Sequence, residues 1–168
     1  MTSQPNESRP SASQPGTSQP LVIFGITGRM GQSLIAALRE DSTFHLLGAV
    51  ASADSVRLGQ DAAAEGRGTG VKISADYARV LQAGAVAVDF SVGSAVAAHA
   101  RACSEAGVPL LVGATALDGA AKAELEGAAK AIAVLIAPNT SVGIAALSQL
   151  VAQAARVLGP ALDRKSVV

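Results

Sequence analysis

Five short apolar runs limit the folds open to this chain more than any other feature: Leu21–Gly25, Leu46–Ala51, Val86–Phe90, Pro109–Gly113 and Ile132–Ala137. None alternates with polar residues, as a strand with one wet face would. Continuous runs of this length suit strands buried on both faces of a parallel sheet. Between them lie stretches with helical spacing. Leu34, Ile35 and Leu38 share one face, Val96, Ala100 and Cys103 another, and Ala121–Lys130 is rich in good helix formers. Strand–helix–strand alternation predicts right-handed crossovers and an α/β fold with a doubly wound parallel sheet.

Composition fits that architecture. The chain has 168 residues, about one domain, and 49% of them are hydrophobic. Its aromatic residues are Phe24, Phe44, Tyr77 and Phe90, so the core must be built from Ala, Val, Leu and Ile. Lys and Arg number 13 and so do Asp and Glu, a balance that argues against a nucleic-acid partner. No stretch approaches the roughly 18 apolar residues of a membrane span. The single cysteine, Cys103, excludes an internal disulfide and a Cys-rich metal site; on the apolar helical face it reads as a core thiol. The Met-Thr-Ser-Gln-Pro start lacks the basic and apolar regions of a secretory signal, and the expected location is cytoplasmic.

Residues 1–20 hold no Val, Ile, Leu or Phe and are expected to be a disordered leader. A transit peptide is the alternative, weakened by the presence of one arginine, Arg9. Residues 21–142 are expected to form the folded domain. Ser52–Gly70, rich in Gly, Ala and Asp without periodicity, reads as a mobile loop with at most one short helix.

The first apolar run leads directly into Gly25-Ile26-Thr27-Gly28-Arg29-Met30-Gly31, and a helix is expected from about Arg29. A glycine motif between strand and helix is the pattern of a Rossmann dinucleotide site. Gly25 suits a tight turn, Gly28 lets the main chain approach a diphosphate, and Gly31 lets the helix pack closely. Free N–H groups of the first turn and the helix dipole would then hold the phosphates. The spacing is G-x-x-G-x-x-G, with Thr27 where a middle glycine would stand. A βα turn with packing glycines and no ligand is the plainer reading.

At the end of the second strand, an acid would hold the ribose 2′-hydroxyl of NAD and an arginine would favour NADP. The segment reads Ala51-Ser52-Ala53-Asp54-Ser55-Val56-Arg57. Its tip is uncharged, Asp54 is late, and Arg57 is within reach of a 2′-phosphate, which points to NADP or dual use. Three further strand ends carry small or polar residues where open sheets bind ligands: Asp89-Phe90-Ser91, Gly113-Ala114-Thr115 and Ala137-Pro138-Asn139-Thr140-Ser141. Asp118 and Ser141 also read simply as helix caps.

Together these blocks resemble the 4-hydroxy-tetrahydrodipicolinate reductase (dihydrodipicolinate reductase) family. The resemblance rests on GxxGRMG at Gly25–Gly31, VDFS at Val88–Ser91, GAT at Gly113–Thr115 followed by Asp118, and A-x-N-x-S-x-G at Ala137–Gly143. It covers about Leu21–Leu162. It implies an oxidoreductase of diaminopimelate and lysine biosynthesis, with NADPH or NADH as cofactor and a small dicarboxylate as substrate. The implied cofactor-binding residues are Gly25, Ile26, Thr27, Gly28, Arg29 and Met30 at the phosphates. Gly113, Ala114 and Thr115 would lie at the nicotinamide ribose, and Ala137, Pro138, Asn139 and Thr140 near the nicotinamide ring.

The family's His-His-x-x-K-x-D-x-P-S-G-T-A motif does not occur in this chain. No catalytic or metal-binding residue is therefore assigned. His45 and His99 read as structural or surface histidines. Residues 143–162 are expected to be a helix leading to an absent second domain, the catalytic and tetramer-forming part of the family. The stripe Ile144, Leu147, Val151, Ala154 and Leu158 would need a partner. Residues 163–168 read as a non-native tail, because one back-translation of Asp-Arg-Lys-Ser-Val-Val matches a common sequencing adapter. The expectation is thus a truncated cofactor-binding half, inactive alone. A CoA-binding domain of the acyl-CoA ligase type, a non-catalytic nucleotide sensor, or another two-domain amino-acid dehydrogenase are the alternatives.

Overall fold

The computed structural model describes residues 18–139 and 141–158. The leader up to residue 17 and the tail from 159, including the six residues read as non-native, lie outside them. Six strands form one all-parallel sheet: β1 (Gln19–Phe24), β2 (Phe44–Val50), β3 (Ile73–Ser74), β4 (Val86–Asp89), β5 (Leu110–Val112) and β6 (Val134–Ile136). Their spatial order is β3-β2-β1-β4-β5-β6, so the winding reverses between β1 and β4. This is the doubly wound sheet expected from the apolar runs.

β1 starts earlier than its apolar run and takes two residues from the expected leader. Gln19 N–H donates to Thr43 O at 2.7 Å, and the Gln19 side chain donates to Gly84 O at 2.6 Å. Pro20 is tolerated because pairing with β4 begins only at Leu21, so its missing N–H falls where the strand is paired on one side.

Alternate residues of β1 separate two cores. Val22 and Phe24 join Val50, Ala87, Leu110 and Val112 under α2 (Val96–Ala106) and α3 (Gly119–Ala128). Leu21 and Ile23 face the other way, with Ala49, Ile73 and Ile35 of α1 (Arg29–Leu38). Each fully buried Val, Leu, Ile or Phe contributes roughly 1.5–3 kcal/mol. The core side chains are mostly small, as composition predicts, which lets helices lie close to the sheet.

The helix ends follow their signals. Gly107 closes α2 in the left-handed region at φ 67°, with Val108 N–H donating to Cys103 O at 2.9 Å. α3 begins two residues before the expected Ala121, because the Asp118 carboxylate accepts from Ala121 N–H at 2.7 Å. α4 (Val142–Leu158) starts at a similar contact, Ile144 N–H to Ser141 Oγ at 3.3 Å. Its stripe is bare: Ile144, Leu147 and Val151 are all exposed, as is Leu135 on β6.

Ser52–Gly70 is the loop expected of it, with more internal bonding than its sequence suggests. It forms turns and one bridge, between Asp61 and Lys72, and no helix. The Asp61 carboxylate organises it, accepting from the amides of Ala63, Thr69 and Gly70 at 2.9 Å each. These bonds hold its carboxyl far below the usual carboxylate range, the Thr69 amide contributing most. Ala62 is fully buried, and Gln32 of α1 donates to Ala62 O and accepts from Ala64 N–H. Aperiodic sequence hid this order, because side-chain-to-backbone bonds rather than an apolar face hold the segment together.

Candidate dinucleotide site

The glycine motif sits where β1 runs into α1, beside the reversal of the winding, which is where open α/β sheets bind ligands. Gly25 has φ +75°, and a Cβ there would stand 2.7 Å from the Phe90 carbonyl and the Ser91 nitrogen. A Cβ on Gly31 would stand 2.6 Å from the carbonyl oxygens of Gly25 and Ile26, so this glycine seats α1 against the loop. Gly28 is the N-cap of α1 in extended conformation, and a Cβ there would meet only Gly25 O, at 3.3 Å. Room is left on its outer side.

The loop's amides divide into two sets. Gly25 and Ile26 N–H both donate to Val50 O, at 3.0 and 3.1 Å, and Gly28 N–H donates to Gly25 O at 3.0 Å. The first bond of α1 is Gln32 N–H to Gly28 O, so the amides of Arg29, Met30 and Gly31 precede any intrahelical acceptor. No side chain caps this helix, and its first turn carries no acid. An anion is the missing partner such a terminus favours.

Two cavities flank the tip of β4. The first, about 410 Å³, is lined by Gly25, Thr27 and Gly28, by Ala51–Ala53 beyond β2, by Tyr77, and by Phe90, Ser91 and His99. The second, about 480 Å³, is lined by Met30, Phe90, Ser91, Gly113, Ala114, Thr115, Ala137, Pro138 and Asn139. Phe90 and Ser91 belong to both. The sequence-predicted residues are thus brought together along one crevice, with three exceptions. Ile26 is fully buried in the core below the loop and its amide is taken, so it offers nothing to a ligand. Arg29 lines a groove on the outer face of α1 rather than either cavity. Thr140 lies outside the described residues.

Arg57 also departs from expectation. Its guanidinium donates to Asp61 O at 2.9 Å and Ala63 O at 3.2 Å, and it lines neither cavity. It is a brace of the loop, and the reach towards a 2′-phosphate is withdrawn. The tip of β2 remains uncharged, as expected.

Sequence reasoning missed the pairing of Asp89 with His99, whose ring lines the first cavity. Asp89, fully buried at the end of β4, has Oδ2 2.8 Å from His99 Nδ1, and its Oδ1 accepts from Ser91 N–H at 2.8 Å. The His99 ring stacks on Phe24 at 4.2 Å and meets Tyr77 edge-on at 5.4 Å. The available signal was an acid at a strand tip ten residues ahead of a histidine on the following helix. Cys103, one turn further along α2, is buried, and burial, reinforced by the Asp89 charge, pushes its thiol up to about 12. It is the core thiol expected. His45 is exposed at the far end of the sheet, its Nδ1 2.8 Å from Ser18 Oγ.

Among the described residues no cluster of His, Cys, Asp or Glu could hold a metal ion, and no helix is long and apolar enough to cross a membrane.

The family model described as "Dihydrodipicolinate reductase, N-terminus" matches residues 19–140. The chain is 40% identical over 145 residues to 4-hydroxy-tetrahydrodipicolinate reductase of Anaeromyxobacter dehalogenans strain 2CP-C, covering 85% of this chain and 54% of the relative. It is 38% identical over 146 residues to the Myxococcus xanthus protein of the same name, covering 84% and 54%. The chain therefore spans about half the length of the curated relatives it matches. A dipicolinate-bound dihydrodipicolinate reductase from Paenisporosarcina sp. TG-14 shares the fold, with a TM-score of 0.62 at 18% identity, over 83% of this chain and 54% of that one.

Proposed function

The chain belongs to the dihydrodipicolinate reductase family, as its N-terminal part, and on that premise we propose that it is the cofactor-binding half of an NAD(P)H-dependent 4-hydroxy-tetrahydrodipicolinate reductase. The single observation that carries the reading is the uncapped start of α1, whose free amides open on a crevice that runs across the tip of β4. The glycine cradle fits a dinucleotide, because side chains at Gly25 and Gly31 would collide with backbone while Gly28 leaves space outward.

In this reading the amides of Thr27, Arg29, Met30 and Gly31 hold the diphosphate. The apolar first cavity takes the adenosine half. Gly113, Ala114 and Thr115 border the nicotinamide ribose, and Ala137, Pro138 and Asn139, with Thr140, border the nicotinamide ring. The chemistry supplied there is hydride transfer from reduced nicotinamide. This chain's own residues bind and orient the cofactor and exclude water from one of its faces. Substrate carboxylates and the proton would be handled by a second domain, so the proposed substrate, a small cyclic dicarboxylate, belongs to the complete enzyme. The complete enzyme is proposed to work in the cytoplasm as a homotetramer on the route to diaminopimelate and lysine. Residues 21–142 act as the dinucleotide domain and 143–162 as the lead into the second.

Both cofactors are proposed to bind. Among the described residues no carboxylate lines the tip of β2 to repel a 2′-phosphate, and no cation there attracts one. Titration of the chain with NADH and NADPH, followed by calorimetry, tests the reading. Binding of both with affinities within roughly tenfold supports it, and its abolition in Gly28→Asp locates the diphosphate. Failure of either cofactor to bind a folded sample overturns it.

A further inference from the structure

The glycine loop is a turn with one peptide that its own closing bond does not hold. Gly28 N–H donates to Gly25 O at 3.0 Å and closes the turn over residues 25–28, whose middle peptide joins Ile26 to Thr27. The oxygen of that peptide is held from outside the turn: Gln32 Nε2, near the start of α1, donates to Ile26 O at 2.7 Å. The other hydrogen of the same nitrogen goes to Ala62 O at 2.8 Å, and Gln32 Oε1 accepts from Ala64 N–H at 2.7 Å. Carbonyls only accept and a main-chain N–H only donates, so one orientation of the carboxamide serves all three partners. The half-buried side chain is clamped by the Ser52–Gly70 loop on one side and grips the glycine loop on the other.

A trans peptide is planar, and its C=O and N–H point in opposite directions. With Ile26 O drawn to Gln32, the N–H on the other side of the same plane, that of Thr27, is turned away from it. This N–H donates to nothing among the described residues, and Thr27 lines the first cavity. Gln32 itself lines neither cavity of the crevice. We propose that Gln32 is a positioning residue for the cofactor: by holding Ile26 O it aims Thr27 N–H at the diphosphate, and Ala62 and Ala64 of the Ser52–Gly70 loop are the fixed point from which it does so. The inference rests on the dinucleotide reading of the crevice and adds to it a residue that touches no ligand.

The test titrates the nitrogen-15-labelled chain with NADH, followed by calorimetry and by the amide signals in nuclear magnetic resonance. In the unaltered chain the Thr27 amide proton is expected to move downfield as NADH binds. Gln32→Glu keeps the length of the side chain and an acceptor for Ala64 N–H, but sets carboxylate oxygen against Ile26 O and Ala62 O. It should bind NADH roughly tenfold more weakly, the worth of one hydrogen bond to a charged group. Its Thr27 shift should vanish while those of Met30 and Gly31 persist. Gln32→Met, of similar length and uncharged, is the second variant and should behave in the same way without burying a charge. A merely structural role would lower the urea midpoint of either variant but leave the NADH affinity and the Thr27 shift of the folded chain unchanged, and that result overturns the proposal. So does a Thr27 amide in the unaltered chain that ignores NADH while Met30 and Gly31 respond, which leaves the dinucleotide reading intact. Absence of NADH binding by the folded, unaltered chain overturns the reading and the proposal together.

Discussion

The ring of Phe90 lies against the bare backbone of Gly113: a Cβ on Gly113 would collide with Cε1 of the ring. The ring is in turn a wall of both cavities. Gly113→Ala must therefore displace Phe90. The expected cost is about 1–3 kcal/mol in urea unfolding, typical of overpacking, together with loss of cofactor affinity by at least roughly tenfold. Wild-type affinity in Gly113→Ala would show that the ring has no part in shaping the crevice.

Ser52 supplies a handle on cofactor preference. It borders the first cavity at the tip of β2, where an acid would hold the ribose hydroxyls of NAD and repel the extra phosphate of NADP. Ser52→Asp is expected to lower NADPH affinity relative to NADH by roughly tenfold or more, measured by parallel titrations. Arg57→Ala, by contrast, should leave the NADPH-to-NADH ratio unchanged and lower stability, since its guanidinium is committed to Asp61 O and Ala63 O.

Acid stability follows from Asp61. Its folded-state pKa is held below the ordinary value by the amides of Thr69, Ala63 and Gly70. A depressed carboxylate contributes stability that is fully present above its unfolded pKa, about 3.9, and is lost as pH falls towards the folded value. Asp61→Asn should lower stability at pH 7 and flatten the acid limb of the stability profile below about pH 4. Urea unfolding across pH 2.5–7 (roughly the range that spans this titration) reads both effects; an unchanged acid limb would remove Asp61 as its origin.

The thiol of Cys103 makes the opposite prediction at alkaline pH. With its pKa pushed up to about 12 by burial and the Asp89 charge, the native thiol should resist iodoacetamide at pH 8.5 and react once the chain is unfolded. A raised pKa contributes stability that is complete below the unfolded value, about 8.5, and declines as pH rises towards the folded one. Alkylation of the native chain at the rate of a free thiol would place Cys103 outside the core.

Much of this was legible before the structure. The apolar runs marked five of the six strands, and the helical spacing of Val96, Ala100 and Cys103 marked a face that is indeed buried. The ordered set of glycine and polar blocks identified the family, which decides between the reductase and the CoA-binding alternative. What stayed hidden has physical causes. β3 is two residues long, too short to show any period, and it exists because Ile73 and Ser74 pair with Ala49 and Val50 of β2. Gln19 and Pro20 entered the sheet through pairing with Phe44 and His45, a tertiary gain that composition does not register. Arg57 was named for its place after the second strand and Ile26 for its place in the glycine loop that the family resemblance implies, and each is consumed by a bond or a core that only the folded chain creates. His99 reads from the sequence as a structural or surface histidine, whereas its partner comes from a strand tip ten residues earlier.

The four-residue strand β4 ends in the one tip that touches both cavities, through Phe90 and Ser91. Gly25 packs against the same backbone so closely that no side chain fits between them. A dinucleotide bound as proposed would cross a single sill shared by both cavities, and its two ends would not be independent tenants. Displacing the sill to suit one half unseats the other, so AMP and nicotinamide mononucleotide added together should not reproduce the grip that the chain has on the two joined in one molecule.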